Sequence, residues 1–136
     1  MSNFYTLRGY NRMKRGEISH TMEDYLEMIY RNAKNKKYIR VNQLASLLNV
    51  RPPSASKMAV KLKAAGMIKF EAYGVIELTE KGEALGCELL HRHEVLNKLF
   101  CIINRSESEL ELVEKIEHSF TGKMIKNIEE FIGALP

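Results

Sequence analysis

The 136-residue sequence predicts a mainly α-helical protein with a small β-hairpin, in which an N-terminal winged helix-turn-helix precedes a helical C-terminal half. Three observations predict it. Two short helical patterns flank an interruption at Asn49-Val50-Arg51, two β-like segments follow on either side of Tyr73-Gly74, and the chain from about Lys81 onward repeats the apolar spacing of amphipathic helices.

Residues 1–20 hold four basic side chains with Glu17 as the only acid, and read as a basic arm. Thr21 offers an N-cap with Asp24 three residues on, so a helix is predicted over about 22–35, with Tyr25, Met28 and Ile29 as its apolar stripe. A second helix is predicted from Asn42, burying Leu44, Ala45, Leu47 and Leu48. Pro52-Pro53 then stands in the first turn of a third helix, which runs through Met58, Val60 and Leu62 to Ala65 and ends at Gly66. Segments 67–72 and Val75–Leu78 read as strands joined by a tight turn at Tyr73-Gly74. A long helix over about 81–104, a polar break at Arg105-Ser106, and helices over about 107–119 and 121–134 complete the chain. This divides it into an arm (1–20), a winged helix-turn-helix (21–80) and a helical region (81–136).

Hydrophobic residues make up 45% and charged residues 28%, a globular balance. No apolar run approaches the ~20 residues that span a bilayer, and the basic N-terminus lacks the apolar stretch of a secretory signal. Cys87 and Cys101 have no second cysteine or histidine at zinc-ribbon spacing. The expectation is a reduced, cytoplasmic protein with no membrane partner. Charge is unevenly spread: residues 1–80 hold 14 Lys/Arg against 7 Asp/Glu, and residues 81–136 hold 7 against 10. A basic first half points to a polyanion, and an acidic second half to cations or a partner.

A helix-turn-helix holds its second helix across duplex DNA, where polar side chains meet the major groove. Here that helix carries Ser54, Ser56, Lys57 and Lys61, and Arg51 adds charge at its N-terminus, where the helix dipole already favours phosphate. Tyr73 at the hairpin tip is the expected wing contact. The partner read from these residues is double-stranded DNA.

The acidic half supplies a second chemistry. Asp24 and Glu27 stand at i and i+3 on the first helix, and Glu114, Glu117 and His118 at i, i+3 and i+4 on a later one. Glu117 falls inside the stripe of Leu110, Val113, Ile116 and Phe120, where a carboxylate needs a partner. His93 lies in the stripe of Leu89, Leu90, Leu96 and Phe100, whereas His91 faces solvent. Singly, such residues are ordinary core histidines and solvated acidic faces. Jointly, four carboxylates and two imidazoles can serve one or two divalent ions, and oxygen-rich ligation suits manganese or iron(II), with zinc able to bind tightly in vitro.

On these residues the sequence resembles the diphtheria-toxin-repressor family, and within it the manganese transport regulators. The resemblance covers roughly residues 20–136 and rests on the segments starting Met22-Glu23-Asp24-Tyr25, Arg51-Pro52-Pro53-Ser54, Leu78-Thr79-Glu80-Lys81-Gly82, His91-Arg92-His93-Glu94 and Glu114-Lys115-Ile116-Glu117-His118. It implies a homodimeric, metal-activated repressor of metal-uptake genes, with the helical region as its dimerisation domain and a near-palindromic operator. It also implies two Mn²⁺ per subunit on Asp24, Glu27, His93, Glu114, Glu117 and His118, with Fe²⁺ or Zn²⁺ possible in vitro. Asp24, His93, Glu114 and Glu117 are expected around one ion, and Glu27, Glu117 and His118 around the other. The iron-responsive branch typically has methionine in place of Asp24 and cysteine in place of Glu114, so the oxygens favour manganese. The basic arm is longer than the branch usually carries, and with Pro136 soon after the last helix no SH3-like third domain of the iron branch is expected.

Two other readings compete. A metal-independent winged-helix regulator would use the six residues as salt bridges only. A di-metal hydrolase would need open coordination positions and a separate acid or base; no such residue is legible, so no enzymatic activity is expected.

Overall fold

The computed structural model describes residues 18–71 and 74–136. Helix α1 (His20–Ala33) is capped by Ser19, whose side chain accepts from the Met22 amide at 3.2 Å. The cap lies two residues before Thr21, and Ile18 ahead of it packs on the core. The earlier start places Met22, Tyr25, Leu26 and Ile29 on one buried face.

A strand not expected from the sequence follows. β1 (Ile39–Arg40) has only two residues, too few for alternation to be read. Arg40 is then the N-cap residue of α2 (Val41–Leu48), in place of Asn42, and its amide donates to Gln43 Oε1 at 3.0 Å. Asn49 ends α2 in the left-handed region at φ 55°. Helix α3 (Pro52–Ala64) has its prolines in the first turn and buries Ala55, Ala59 and Leu62. Its small alanines let it lie close against its neighbours.

β2 (Ile68–Phe70) and β3 (Val75–Leu78) pair antiparallel, with Ile68 opposite Leu78 and Phe70 opposite Ile76. β1 pairs with the other edge of β3, placing Ile39 opposite Ile76, so the sheet order is β1-β3-β2. This mainly helical body with a small antiparallel sheet is the winged helix-turn-helix architecture that the sequence predicts.

Helix α4 (Glu80–Asn104) is capped by Thr79. Beyond the left-handed Arg105 come α5 (Leu110–Ile116), a 3₁₀ turn (Glu117–Ser119) and α6 (Gly122–Gly133). The helix expected over 107–119 is therefore shorter. The Oδ1 of Asn97 on α4 accepts from the Glu109 amide at 2.8 Å and so sets where α5 begins. His118 consequently stands on the 3₁₀ turn rather than on an α-helix.

One apolar core joins Leu26, Ile29, Ile39, Leu44, Leu62, Ile76 and Leu89, and a smaller one joins Val95, Leu96, Val113 and Ile125. α4 contributes to both. No helix among the described residues is long and apolar enough to cross a membrane.

The start of α4 is bonded to the turn after α3. Thr79 Oγ1 donates to the Gly66 carbonyl at 2.6 Å, and Lys81 Nζ to the Ala65 carbonyl at 3.2 Å. Gly82 packs so closely that a Cβ there would overlap the Met67 carbonyl. One turn on, a Cβ on Gly86 would lie 2.7 Å from Tyr30 Cβ. Backbone cannot yield as a side-chain tip can, so Gly82→Ala is expected to cost about 1–3 kcal/mol or more. Urea unfolding followed by circular dichroism measures it; an unchanged midpoint would show that α4 can lift away from this turn.

Candidate metal centre

Glu117 anchors the site. Only 1% of it is exposed, on the 3₁₀ turn, where it meets two consecutive residues of α4. Its Oε2 accepts from His93 Nδ1 at 3.3 Å and its Oε1 from Arg92 Nη2 at 3.4 Å. Burial pushes the Glu117 carboxyl up, but the His93 bond and the charges of His93 and Arg92 outweigh it and hold the group below its usual range. The same bond raises His93 against the opposing effect of its burial.

Around this pair gather carboxylates from other elements. Glu27 on α1, His93 on α4 and Glu114 on α5 each place one ligand atom within 4.8 Å of the others. Glu114 Oε1 lies 3.5 Å from His93 Nδ1 and reaches solvent, its side chain 53% exposed. Glu27 is buried and accepts from Arg31 Nη2 at 2.8 Å. Burial, then the neighbouring charge of Glu117, push the Glu27 carboxyl up to about 7. Burial and Glu117 raise Glu114 as well. The carboxylates are thus crowded beyond what the local cations neutralise.

A second grouping adjoins the first. His118 Nε2 lies 2.9 Å from Asp24 Oδ1, and His118 Nδ1 lies 2.7 Å from Glu23 Oε1. Bonds to Asp24 and then Glu23 push His118 up to about 9. Glu23 is raised by burial, but the His118 bond and the Arg92 charge outweigh that and leave it lowered.

The two groupings differ from the sharing expected by resemblance. Glu27 rather than Asp24 stands with His93 and Glu114, and Asp24 rather than Glu27 stands with His118. Asp24 and Glu27 are offset along α1 by about 4.5 Å at 1.5 Å per residue, so each meets a different level of the facing helices.

The donor set fits a divalent cation. Carboxylates and imidazole surround one point and share too little positive charge, a chemistry that favours Mn²⁺ or Fe²⁺ over thiolate-seeking metals. Two residues outside the sequence-derived set adjoin it, Glu23 against His118 and Arg92 against both Glu23 and Glu117. Arg92 was legible in principle, because 89, 92, 93 and 96 follow the i, i+3, i+4, i+7 spacing of a buried stripe, and a charge there needs a partner. Glu23 has no such signal.

On the DNA-reading side, Arg51 is exposed at the N-cap of α3, and Ser54, Lys57 and Lys61 are exposed along it at spacings of three and four. Ser56 is half-buried. Tyr73 lies outside the described residues.

Residues 17–76 match the family described as "Iron dependent repressor, N-terminal DNA binding domain". Over 82% of the chain the sequence is 39% identical to the HTH-type transcriptional regulator MntR of Lysinibacillus sphaericus, covering 81% of that protein. The chain belongs to the MntR family of helix-turn-helix transcriptional regulators. MntR of Geobacillus kaustophilus is 37% identical, over 82% of this chain and 80% of that one. The fold is shared with the solved structure of the manganese regulator SloR at a TM-score of 0.72, with 23% identity over 84% of this chain and 54% of that one. The present chain therefore spans about half the length of that solved chain. Membership in the MntR family makes this chain a DNA-binding, metal-dependent transcriptional repressor in class.

The raised groups set a pH dependence. His118 moves from 6.5 to about 9 on folding, so its stabilisation is present below pH 6.5 and is lost as pH rises toward 9. Glu27 moves from 4.5 to about 7, so its ionisation costs stability as pH rises through that window. With chelator present, the thermal midpoint is expected to fall between pH 6.5 and 9, and His118→Gln to flatten that fall. Scanning calorimetry across pH checks both; parallel profiles would remove His118 as the cause.

Proposed function

We propose that this MntR-family chain is a Mn²⁺-responsive repressor of metal-uptake genes, binding two ions per subunit through Asp24, Glu27, His93, Glu114, Glu117 and His118. It acts as a cytoplasmic homodimer on a near-palindromic operator. Its working parts are the arm (1–20), the DNA-reading domain (21–80) and the metal-binding and dimerisation domain (81–136). The observation that carries this reading is the gathering of Glu27, His93 and Glu114 from α1, α4 and α5 around one point, with the His118–Asp24 pair beside it. The MntR names of the relatives support manganese, and Fe²⁺ or Zn²⁺ are expected to compete in vitro.

The chain's residues define the device. α1 carries Asp24 and Glu27 on a helix whose other face, through Leu26 and Ile29, belongs to the DNA-reading core. The other four residues lie on α4, on α5 and in the turn after it. Bound there, divalent metal supplies positive charge that cancels the repulsion between the carboxylates and ties α1 to α4 and α5. With such an ion in place, Glu27 and Glu114 would be held as carboxylates and the orientation of α1 relative to α4 would be restricted. α3 rides on the same core through Ala55, Ala59 and Leu62, so the orientation of Ser54, Lys57 and Lys61 follows. Ile102, Ile103, Leu110, Met124 and Phe131 are exposed and apolar in the helical half, which supports a second copy covering them.

The test is operator affinity by fluorescence anisotropy at one salt concentration, with chelator, Mn²⁺, Fe²⁺ and Zn²⁺ compared. Mn²⁺ is expected to tighten binding about 5–150-fold, the usual size of such coupling. Glu114→Ala is expected to abolish that gain without changing the unfolding midpoint, since its side chain is 53% exposed. Lys57→Ala is expected to weaken DNA binding and leave Mn²⁺ stoichiometry unchanged. Equal affinity with chelator and with Mn²⁺ would leave a metal-independent regulator.

A further inference from the structure

Behind His118 stands a charged relay that the six candidate ligands do not include. Arg92 Nη2 lies 3.3 Å from Glu23 Oε1 as well as 3.4 Å from Glu117 Oε1. That same Glu23 oxygen lies 2.7 Å from His118 Nδ1. Arg92 Nη2 also approaches His118 Nδ1 at 3.3 Å. A carboxylate oxygen only accepts, so the short Glu23 contact places a proton on Nδ1. The guanidinium and Nδ1 are then both donors, and Glu23 is the acceptor they share. By the same rule the other ring nitrogen, Nε2, carries a proton toward Asp24 Oδ1 at 2.9 Å, and it is this second proton that an ion bound at Nε2 would displace. His20 stacks on the ring of His118, with centroids 4.6 Å apart and planes at 10°.

We propose that Glu23, held in place by Arg92, is the positioning residue for His118, orienting the ring so that Nε2 is presented to the ion that His118 holds. The inference rests on the metal-responsive reading above. A ligating imidazole is oriented and made more basic by an acceptor on its other nitrogen, and loss of such a partner typically costs 10–100-fold in metal affinity. His118 needs this support more than His93 does. His93 is built into the middle of a long helix, whereas His118 sits on a single 3₁₀ turn. One oxygen of Glu23, Oε1, is shared by Arg92 and His118.

The test is a Mn²⁺ titration of the full chain, reading free Mn²⁺ by electron paramagnetic resonance. Glu23→Ala is expected to weaken one of the two ions about 10–100-fold and leave the other unchanged. Glu23→Gln is expected to restore most of that loss, because its amide oxygen can still accept from Nδ1–H. In a His118→Ala background, Glu23→Ala is expected to have no further effect, which a merely structural contribution would not reproduce. As a second readout, ¹¹³Cd²⁺ replaces Mn²⁺, and Glu23→Ala is expected to shift one cadmium resonance and not the other. Unchanged affinities in Glu23→Ala against a two-ion wild type overturn this inference alone, as does equal weakening of both ions. A wild type that takes up fewer than two ions overturns the two-ion reading and this inference with it.

Discussion

Glu117 is a carboxylate with 1% of its surface exposed, and a charge so placed must be matched or given up. Arg92 and His93, neighbours on α4, match it from the same side. Because Glu117 begins the 3₁₀ turn, this pairing docks the segment after α5 onto the middle of α4. Val113 and Leu96 close the apolar layer beneath. The turn then brings His118 toward α1, where Asp24 and Glu23 meet it. Removing either cation partner would strand a buried carboxylate, which is among the costlier single changes a small domain can suffer.

α4 is the mechanical link. Near its N-terminus it packs through Gly82 onto the backbone of the turn that follows the recognition helix, and through Gly86 onto Tyr30 of α1. Further along it supplies Leu89 to the DNA-reading core and Leu96 to the smaller one. A helix held at this many points has little freedom to hinge at its start. Adjustment between the two halves therefore falls on the polar contacts between α1 and the 3₁₀ turn, beside the candidate metal residues.

The charge at that seam is uneven. Arg31, Arg92, His93 and His118 face Glu23, Asp24, Glu27, Glu114 and Glu117, and Glu27 is raised to about 7, first by its burial and then by the neighbouring charge of Glu117. Crowded carboxylates of this kind hold a structure loosely until further positive charge arrives, and added charge brings together whichever elements carry them. Here those elements belong to different cores, α1 to the larger and α5 to the smaller.

The sequence by itself determined the helical order, the winged helix-turn-helix, and the six side chains of the candidate metal set. Each depends on local spacing: prolines in a first turn, apolar residues at helical period, acids and imidazoles at i, i+3 and i+4. Only the tertiary structure decided which of those side chains stand side by side, Glu27 with His93 and Asp24 with His118, because that depends on the relative height of helices far apart in sequence. Tertiary contacts also shortened the 107–119 helix, through Asn97 accepting from the Glu109 amide. β1 gained its identity from pairing with β3 rather than from any pattern of its own. Arg92 was half-legible, since its place in the α4 stripe shows that it must be buried, but its partners Glu23 and Glu117 come from elements 69 and 25 residues away. Spacing along one helix reports which face a side chain takes; what waits on the other side of that face is settled only when the chain closes on itself.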